Sequence, residues 1–427
     1  MNKFTNTLYT NDNLFILNGL NSQSVDLIYL DPPFNSKRTY SAPVGSKSAG
    51  ASFKDMWSWE DVNEFYLETM FTDYPFLVNF IQSIEGIYGK AMMAYITYMT
   101  QRIIQMHRVL KETGSLYLHC DPTASHYLKI VLDRIFGKNN FRNEIVWCYS
   151  HGGRSKKGFG KKHDIILRYS KSNAFTFNGN DVKIEMKSGK KSFGGKMKID
   201  NTGRKYRLVY GTKNSKGETK YYKYYLDEGK IPEDYWTDIN SLQSGVAERT
   251  GYPTQKPLAL LHRIIKASSC EGDVVFDPFC GCATACVAAQ QLQRHWIGID
   301  IEKQAADVLV ERLSDDAGLF KDFIHRTDIP KRDDVKEELP NQNIKEKLYK
   351  EQQGHCNGCD NKYLIKDFHI DHIIPKSKGG GNYYENYQLL CGHCNTTKGD
   401  RPMEYLMTKT NKRDELLRSK LTFGIRN

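Results

Sequence analysis

Hydrophobic positions change their spacing several times along this 427-residue chain. Val25-Asp26-Leu27-Ile28-Tyr29-Leu30 is a short apolar run stopped by Asp31-Pro32-Pro33. Two prolines cannot continue a central strand, so the run predicts a buried strand ending in a rigid turn. Between Ala91 and Lys111, Ile96, Met99, Ile103, Met106 and Leu110 recur at helical spacing, and Gly114 ends the pattern. Ser115–Cys120 predicts the next strand, 124–136 a helix, and Glu144–Tyr149 and Asp164–Tyr169 two more strands. The alternation lapses until about Tyr235 and then resumes. Leu258–Ser268 predicts a helix, Val274–Phe276 a strand, Thr284–Leu292 a helix, Trp296–Ile299 a strand and Ile301–Leu313 a helix. Strands alternating with helices imply a mostly parallel sheet covered on both faces. From about Ser314 the chain turns polar, with Pro330 and Pro340, and 316–345 reads as a linker to a compact module over 346–427.

Length alone suggests about two to three domains. An apolar fraction of 39% is enough for real cores. No run approaches the roughly 20 apolar residues of a membrane span. Met1–Asn6 has no apolar core after its single charge, so no signal peptide is expected and a reducing cytoplasm is the expected setting. The net charge of +11 points to an anionic partner. The excess is concentrated: His151–Tyr235 holds 21 Lys and Arg against 9 Asp and Glu. Arg154, Lys156, Lys157, Lys161 and Lys162 are followed by Arg204-Lys205-Tyr206-Arg207 and Lys220-Tyr221-Tyr222-Lys223-Tyr224-Tyr225. The cations suit phosphates and the interleaved tyrosines suit stacking, so that beside a base-modifying site the stretch would contact double-stranded DNA, and without one it is a solvated loop. The stretch has no amphipathic helical period that would lay it on a lipid surface. Self-association as a homodimer is the expectation for assembly.

Amino-group methylation needs an oriented amine, acceptors for its developing charge and an in-line methyl donor. An Asp-Pro-Pro-aromatic turn meets the first two needs. The Asp31 carboxylate and the Pro32 carbonyl can each accept one amino hydrogen, Pro33 stiffens the turn, and Phe34 offers a stacking face. The base must first leave the duplex. Val274–Thr284 predicts a strand, a small-residue turn and a helix start, the kind of turn that lets a ligand approach backbone at the carboxyl end of a parallel strand. The next strand ends in Asp300, placed to bind a ribose diol. Without a ligand, the same pattern is an ordinary strand–helix crossover.

With both motifs in this order, residues 1–315 resemble the β-class amino-methyltransferases of DNA, which carry a Rossmann-like sheet and use S-adenosylmethionine. By that resemblance Asp31, Pro32, Pro33 and Phe34 are catalytic. Phe276, Asp277, Pro278, Phe279, Gly281, Thr284 and Asp300 bind the cofactor, with Thr254, Lys256 and Pro257 from the short motif ahead of them. Asp12, within Asn11-Asp12-Asn13, falls where the family contacts the cofactor adenine. Ala283 replaces the family's second glycine, a change that a negative φ would tolerate. The basic stretch 171–235 falls where the family keeps its target-recognition region. The leading Asp goes mainly with adenine in the family, cytosine amino-methylation being the alternative.

Cys356-x-x-Cys359 and Cys391-x-x-Cys394 are separated by 31 residues, and two such pairs make a closed tetrahedral zinc site that braces rather than catalyses. His355 and His393 are adjacent alternatives. The other cysteines, Cys120, Cys148, Cys270, Cys280, Cys282 and Cys286, read as buried thiols. Between the pairs lie His369-Ile370-Asp371-His372 and Asn386, and after them Asn395-Thr396-Thr397-Lys398-Gly399-Asp400. Residues 354–403 resemble cysteine-braced HNH endonucleases. By that resemblance His372 is the general base, Asp371 and Asn395 hold magnesium, and Asn386 orients the active-site loop. Asn395 stands where many relatives have His. The expectation is an adenine methyltransferase fused to a nuclease in a restriction–modification role. The competing readings are a module that binds DNA without cutting, a mobile-element nuclease with the first domain as specificity scaffold, and methylation of RNA.

Overall fold

The computed structural model describes residues 6–36, 38–43, 45–46, 48–49, 52–62, 70, 73–150, 156–185, 197–213, 217–243, 245–315, 323–335, 338–378, 380–401 and 403–409. Arg154 of the basic stretch lies outside them.

Nine strands form one sheet: β1 (Thr7–Thr10), β2 (Val25–Leu30), β5 (Leu110–Cys120), β6 (Phe141–Cys148), β7 (His163–Ser170), β11 (Tyr235–Trp236), β12 (Val274–Asp277), β13 (His295–Asp300) and β14 (Ile324–Arg326). Their order is β11-β6-β7-β5-β2-β12-β13-β1-β14. All neighbours pair parallel except at β7, which runs antiparallel to both β5 and β6. β2 and β12 are buried along their whole length, as strands covered on both faces must be. One apolar layer joins the sheet to α1 (Asn13–Gly19), α2 (Pro75–Tyr88), α3 (Lys90–Val109) and α4 (Ser125–Leu132). The other joins it to α5 (Leu258–Ser268), α6 (Thr284–Gln291) and α7 (Gln304–Asp315).

Smaller elements lie outside this sheet. β3 (Arg38–Ser41) and β4 (Ser52–Asp55) form an antiparallel hairpin after the proline turn. The basic stretch builds its own antiparallel sheet from β8 (Lys198–Ile199), β9 (Lys205–Lys213) and β10 (Thr219–Tyr225). Tyr210, Tyr221, Tyr222 and Tyr224 stay exposed on it.

The carboxyl-terminal module consists of α8 (Gln342–Glu351), the antiparallel pair β15 (Phe368–His372) and β16 (Tyr387–Cys391), α9 (Gly392–Lys398) and α10 (Met403–Lys409). It has its own core, which includes Ile344, Leu348, Phe368, Leu389, Leu390 and Leu406.

The expected linker is in part something else. Ile324–Arg326 pairs with β1 at the edge of the large sheet. Beyond it Asp333 and Asp334 accept from the Asn21 side chain and the Ser22 N–H. Gly19 lies against Pro330, where a Cβ would stand 2.0 Å from the carbonyl oxygen. Composition marked this stretch as polar, but backbone pairing needs no apolar side chains.

Candidate active site and cysteine centre

The proline turn leaves the carboxyl end of β2, and the small-residue turn leaves that of its neighbour β12. The register Val275↔Leu27 and Phe276↔Ile28 brings these distant motifs side by side. They face one cleft of about 520 Å³, within the size range of small-ligand sites. Asp31, Pro32, Pro33 and Phe34 line it, as do Asp12, Thr254, Lys256, Asp277, Pro278, Phe279, Gly281, Thr284 and Asp300. Two expected residues do not. Phe276 is fully buried in the core under the sheet, and Pro257 caps the start of α5 outside the cleft wall.

The catalytic-type turn is latched from behind. Asn35 and Ser36 donate their N–H groups to the two oxygens of Asp55, at 2.6 and 2.9 Å. Asn35 takes φ +61°, a left-handed conformation that Asn tolerates better than most residues. Phe34 stacks on the His119 ring, centroids 6.0 Å apart. His119 is fully buried and its two nitrogens meet Tyr29 Oη at 3.0 Å and Asp164 Oδ2 at 3.1 Å. Burial alone would raise the Asp164 carboxyl, but the His119 hydrogen bond and charge take it below the usual range.

Lys256 sits differently from expectation. Its Nζ lies 2.6 Å from Asp31 Oδ2 and 5.3 Å from the centre of the Phe34 ring, so it stands on the proline-turn side of the cleft. The side chain is almost fully buried, where an ammonium is costly without a partner carboxylate. It leaves Asp31 one oxygen, Oδ1, for other donors.

The β12 and β13 side of the cleft carries two carboxylates, Asp277 buried and Asp300 half-buried. Burial pushes Asp277 well above its usual range, with the charges of Asp31 and Asp300 adding to it. Burial pushes Asp300 up to about 6, against the N–H groups of Glu302 and Gly281, which favour the anion. Those groups donate to Asp300 Oδ1 and Oδ2, each at 2.8 Å. Gly281 takes φ +51°, and a Cβ there would come within 2.9 Å of the Tyr252 ring. Ala283 takes φ +57° and not the negative value that would accommodate its methyl freely, so the missing glycine leaves local strain. Thr284 is drawn toward Arg312, whose Nη1 lies 3.0 Å from its Oγ1. Asp12 caps α1 through the Leu14 N–H and pairs with Arg102 at 2.9 Å. The Arg102 guanidinium lies 3.2 Å above the Tyr98 ring, which also lines the cleft.

In the module, the Sγ atoms of Cys356, Cys359, Cys391 and Cys394 all lie within 4.8 Å of one another. A tetrahedral zinc with sulfur at about 2.3 Å requires sulfur–sulfur edges of about 3.8 Å, so the quartet fits that ion with little adjustment. The Cys391 N–H points at Cys356 Sγ, 3.2 Å away, as expected around thiolates.

The other predicted residues of the module lie at the end of β15 (Asp371, His372), just before β16 (Asn386) and on α9 (Asn395). His372 Nε2 is 3.1 Å from Asn382 Oδ1, and burial holds the imidazole below its usual pKa, which favours the neutral ring. Asn386 is buried and grips the intervening loop: it accepts from the Ile374 N–H at 2.8 Å and donates to the carbonyls of Ile374 and Gly381. Its amide is therefore a loop latch. Asp371 Oδ2 faces Lys398 Nζ at 3.0 Å and Gln388 Nε2 at 2.8 Å. Asn395 stands one turn before Lys398 on α9. Among the described residues neither Asp371 Oδ1 nor the Asn395 amide makes a side-chain hydrogen bond.

Sequence reasoning passed over Asp55, His119, Asp164, Arg102 and Tyr252, which carry no motif, and gave Lys398 no role although it stands inside one.

An open α/β sheet with acidic and aromatic groups converging at adjacent strand ends has the architecture of a ligand-binding α/β enzyme, with its site outside the carboxyl ends of the strands. Residues 25–311 match the family described as DNA methylase, and the chain belongs to that family. Residues 356–401 match the HNH endonuclease family. The DNA adenine methyltransferase YhdJ of Escherichia coli (strain K12) is 29% identical over 309 residues, covering 72% of this chain and 82% of that protein. The type II methyltransferase M.EcaI of Enterobacter cloacae is 27% identical over 366 residues, covering 75% and 72%. The type II methyltransferase M.HpaI of Haemophilus parainfluenzae is 26% identical over 311 residues, covering 73% and 74%.

Proposed function

We propose that this chain methylates the exocyclic amino group of adenine in double-stranded DNA, using S-adenosylmethionine, and that its carboxyl-terminal module is an HNH nuclease serving restriction–modification. The observation that carries the reading is the shared cleft lined by Asp31 from the turn after β2 and by Asp277 and Asp300 from the ends of β12 and β13. The adenine assignment is supported by the leading Asp of the turn and by relatives named as adenine methyltransferases. S-adenosylmethionine, when bound, supplies a methyl group made electrophilic by its sulfonium. The donor set fits it: Asp300 retains lone pairs for ribose hydroxyls, the bare backbone of Gly281 lies under the Tyr252 ring at the cleft, and Asp12 lines the same cleft.

Asp31 Oδ1 and the Pro32 carbonyl accept the two amino hydrogens, which turns the nitrogen lone pair toward the methyl. Phe34, backed by His119, supports the face of the flipped base. Lys256 holds Asp31 in place through Oδ2, and Asp31 is the nearest acceptor for the proton the amine loses. The exposed tyrosines and lysines of β9 and β10 form the DNA-facing part of a target-recognition region over 171–235. Cys356, Cys359, Cys391 and Cys394 hold a structural zinc. Asp371 and Asn395 hold magnesium, and neutral His372 takes the proton of the attacking water.

Labelled methyl transfer to duplex DNA tests the first activity: the wild type transfers label to adenine, and Asp31→Ala loses about a thousandfold. Transfer that survives that change removes Asp31 from the mechanism. Cleavage of unmethylated DNA with magnesium tests the second, with His372→Ala as the blank. A wild type that binds DNA and never cuts it leaves the module as a binding unit.

A further inference from the structure

Lys398 is almost completely buried and is the last residue of α9. Its Nζ lies 3.0 Å from Asp371 Oδ2 and donates to the His372 carbonyl, also at 3.0 Å. The same Asp371 oxygen takes Gln388 Nε2 at 2.8 Å, from a residue directly opposite on β16. Gln388 is itself buried. Two donors thus claim one oxygen of the only carboxylate proposed to hold magnesium, and Oδ1 is left over.

Burying an ammonium is expensive, and a brace of the strand end would be served as well by a neutral residue. What only a cation supplies here is charge. Resting on the nuclease reading above, we propose that Lys398 is a positioning residue that confines Asp371 to one-oxygen ligation through Oδ1 and cancels its charge. The divalent ion then keeps its full double charge for the scissile phosphate. It is held weakly until DNA arrives, because one neutralised carboxylate and one amide are a poor donor set for a hard cation. The phosphate completes the site. The lysine also ties the backbone of His372 to the same point, so the base and the metal ligand keep their relative position.

The test is a titration of the full zinc-loaded chain with Mn2+, read by electron paramagnetic resonance without DNA, with D371A as the blank. K398M is expected to bind Mn2+ about tenfold more tightly, because the neighbouring positive charge is gone. At saturating metal it is expected to cleave DNA about tenfold more slowly, with methyl transfer and zinc content unchanged. Tighter metal with slower cleavage is a combination that a merely structural lysine would not produce. Unchanged or weaker Mn2+ binding overturns the proposal. If K398M loses zinc, K398Q is read in the same way, and loss of zinc from both reduces the lysine to a prop and overturns it too. A wild type that binds Mn2+ through Asp371 and yet never cuts defeats the nuclease reading alone. Mn2+ binding that D371A does not remove defeats both.

Discussion

In the amino-terminal cleft, Asp31, Lys256, Asp277 and Asp300 come from separate strands and turns and meet only because β2, β12 and β13 lie side by side. In the carboxyl-terminal module, all four thiols and His372 fall within Cys356–Cys394. The first site is stabilised by a large two-faced core, and losing one polar group there leaves the sheet standing. The second rests on a small core, and at that size a metal commonly supplies what apolar burial cannot. The two centres should therefore fail in different ways.

The largest expected effect breaks the pair apart. Replacing Cys356 and Cys359 together by serine removes the zinc, which for structural sites contributes on the order of 10 kcal/mol to folding. The module should become protease-sensitive and lose any cleavage, while methyl transfer continues at a normal rate. Metal analysis with limited proteolysis reads this, and a resistant module would show that its core suffices.

A second effect belongs to the cleft alone and depends on pH. The Asp300 carboxyl is raised from 3.8 to about 6. The fold therefore prefers the neutral acid, so this residue's contribution to stability is full below about 4 and is lost as pH rises through about 6. The anion, in contrast, is the better acceptor for ribose hydroxyls. Calorimetric affinity for S-adenosylmethionine should fall as pH drops below about 6, by up to tenfold per unit. Asp300→Asn should flatten that dependence; an unchanged slope would assign it elsewhere.

The smallest effect concerns the departure at Ala283. Its left-handed backbone costs about 1 kcal/mol, part of which glycine would return as unfolded-chain entropy. Ala283→Gly should raise the melting temperature of the methylase part slightly and leave the module's transition where it was. A fall would mean that the lost Cβ packing outweighs the strain.

Legibility in the sequence follows the same division. The strand before Asp31, the turn at Asp277–Thr284 and both C-x-x-C pairs are local patterns, and each lies where its pattern placed it. In sequence Lys256 belongs with the cofactor motif because motifs are linear, whereas its side chain crosses to Asp31. Phe276 and Pro257 belong to the same motifs but point into the core or cap a helix. Asp55 and His119 had no local signal, since each acts by being packed behind a turn that lies elsewhere in the chain. β1 and β14 are too short to show a period, and β14 sits in a polar stretch where only its pairing partner identifies it.

That edge strand bears on how such a chain can be taken apart or recombined. Severing it after Asp315 would strip the large sheet of β14 and expose the backbone edge of β1, a row of donors and acceptors open to pairing with other chains. A graft that exchanges the nuclease for another, or a design that expresses the methylase alone, needs its junction beyond Asp334, after the contacts to Asn21 and Ser22. Cut there, the first half keeps the three-residue β14 as its edge, a short template for pairing; cut earlier, it would expose the longer edge of β1 and be more prone to aggregate.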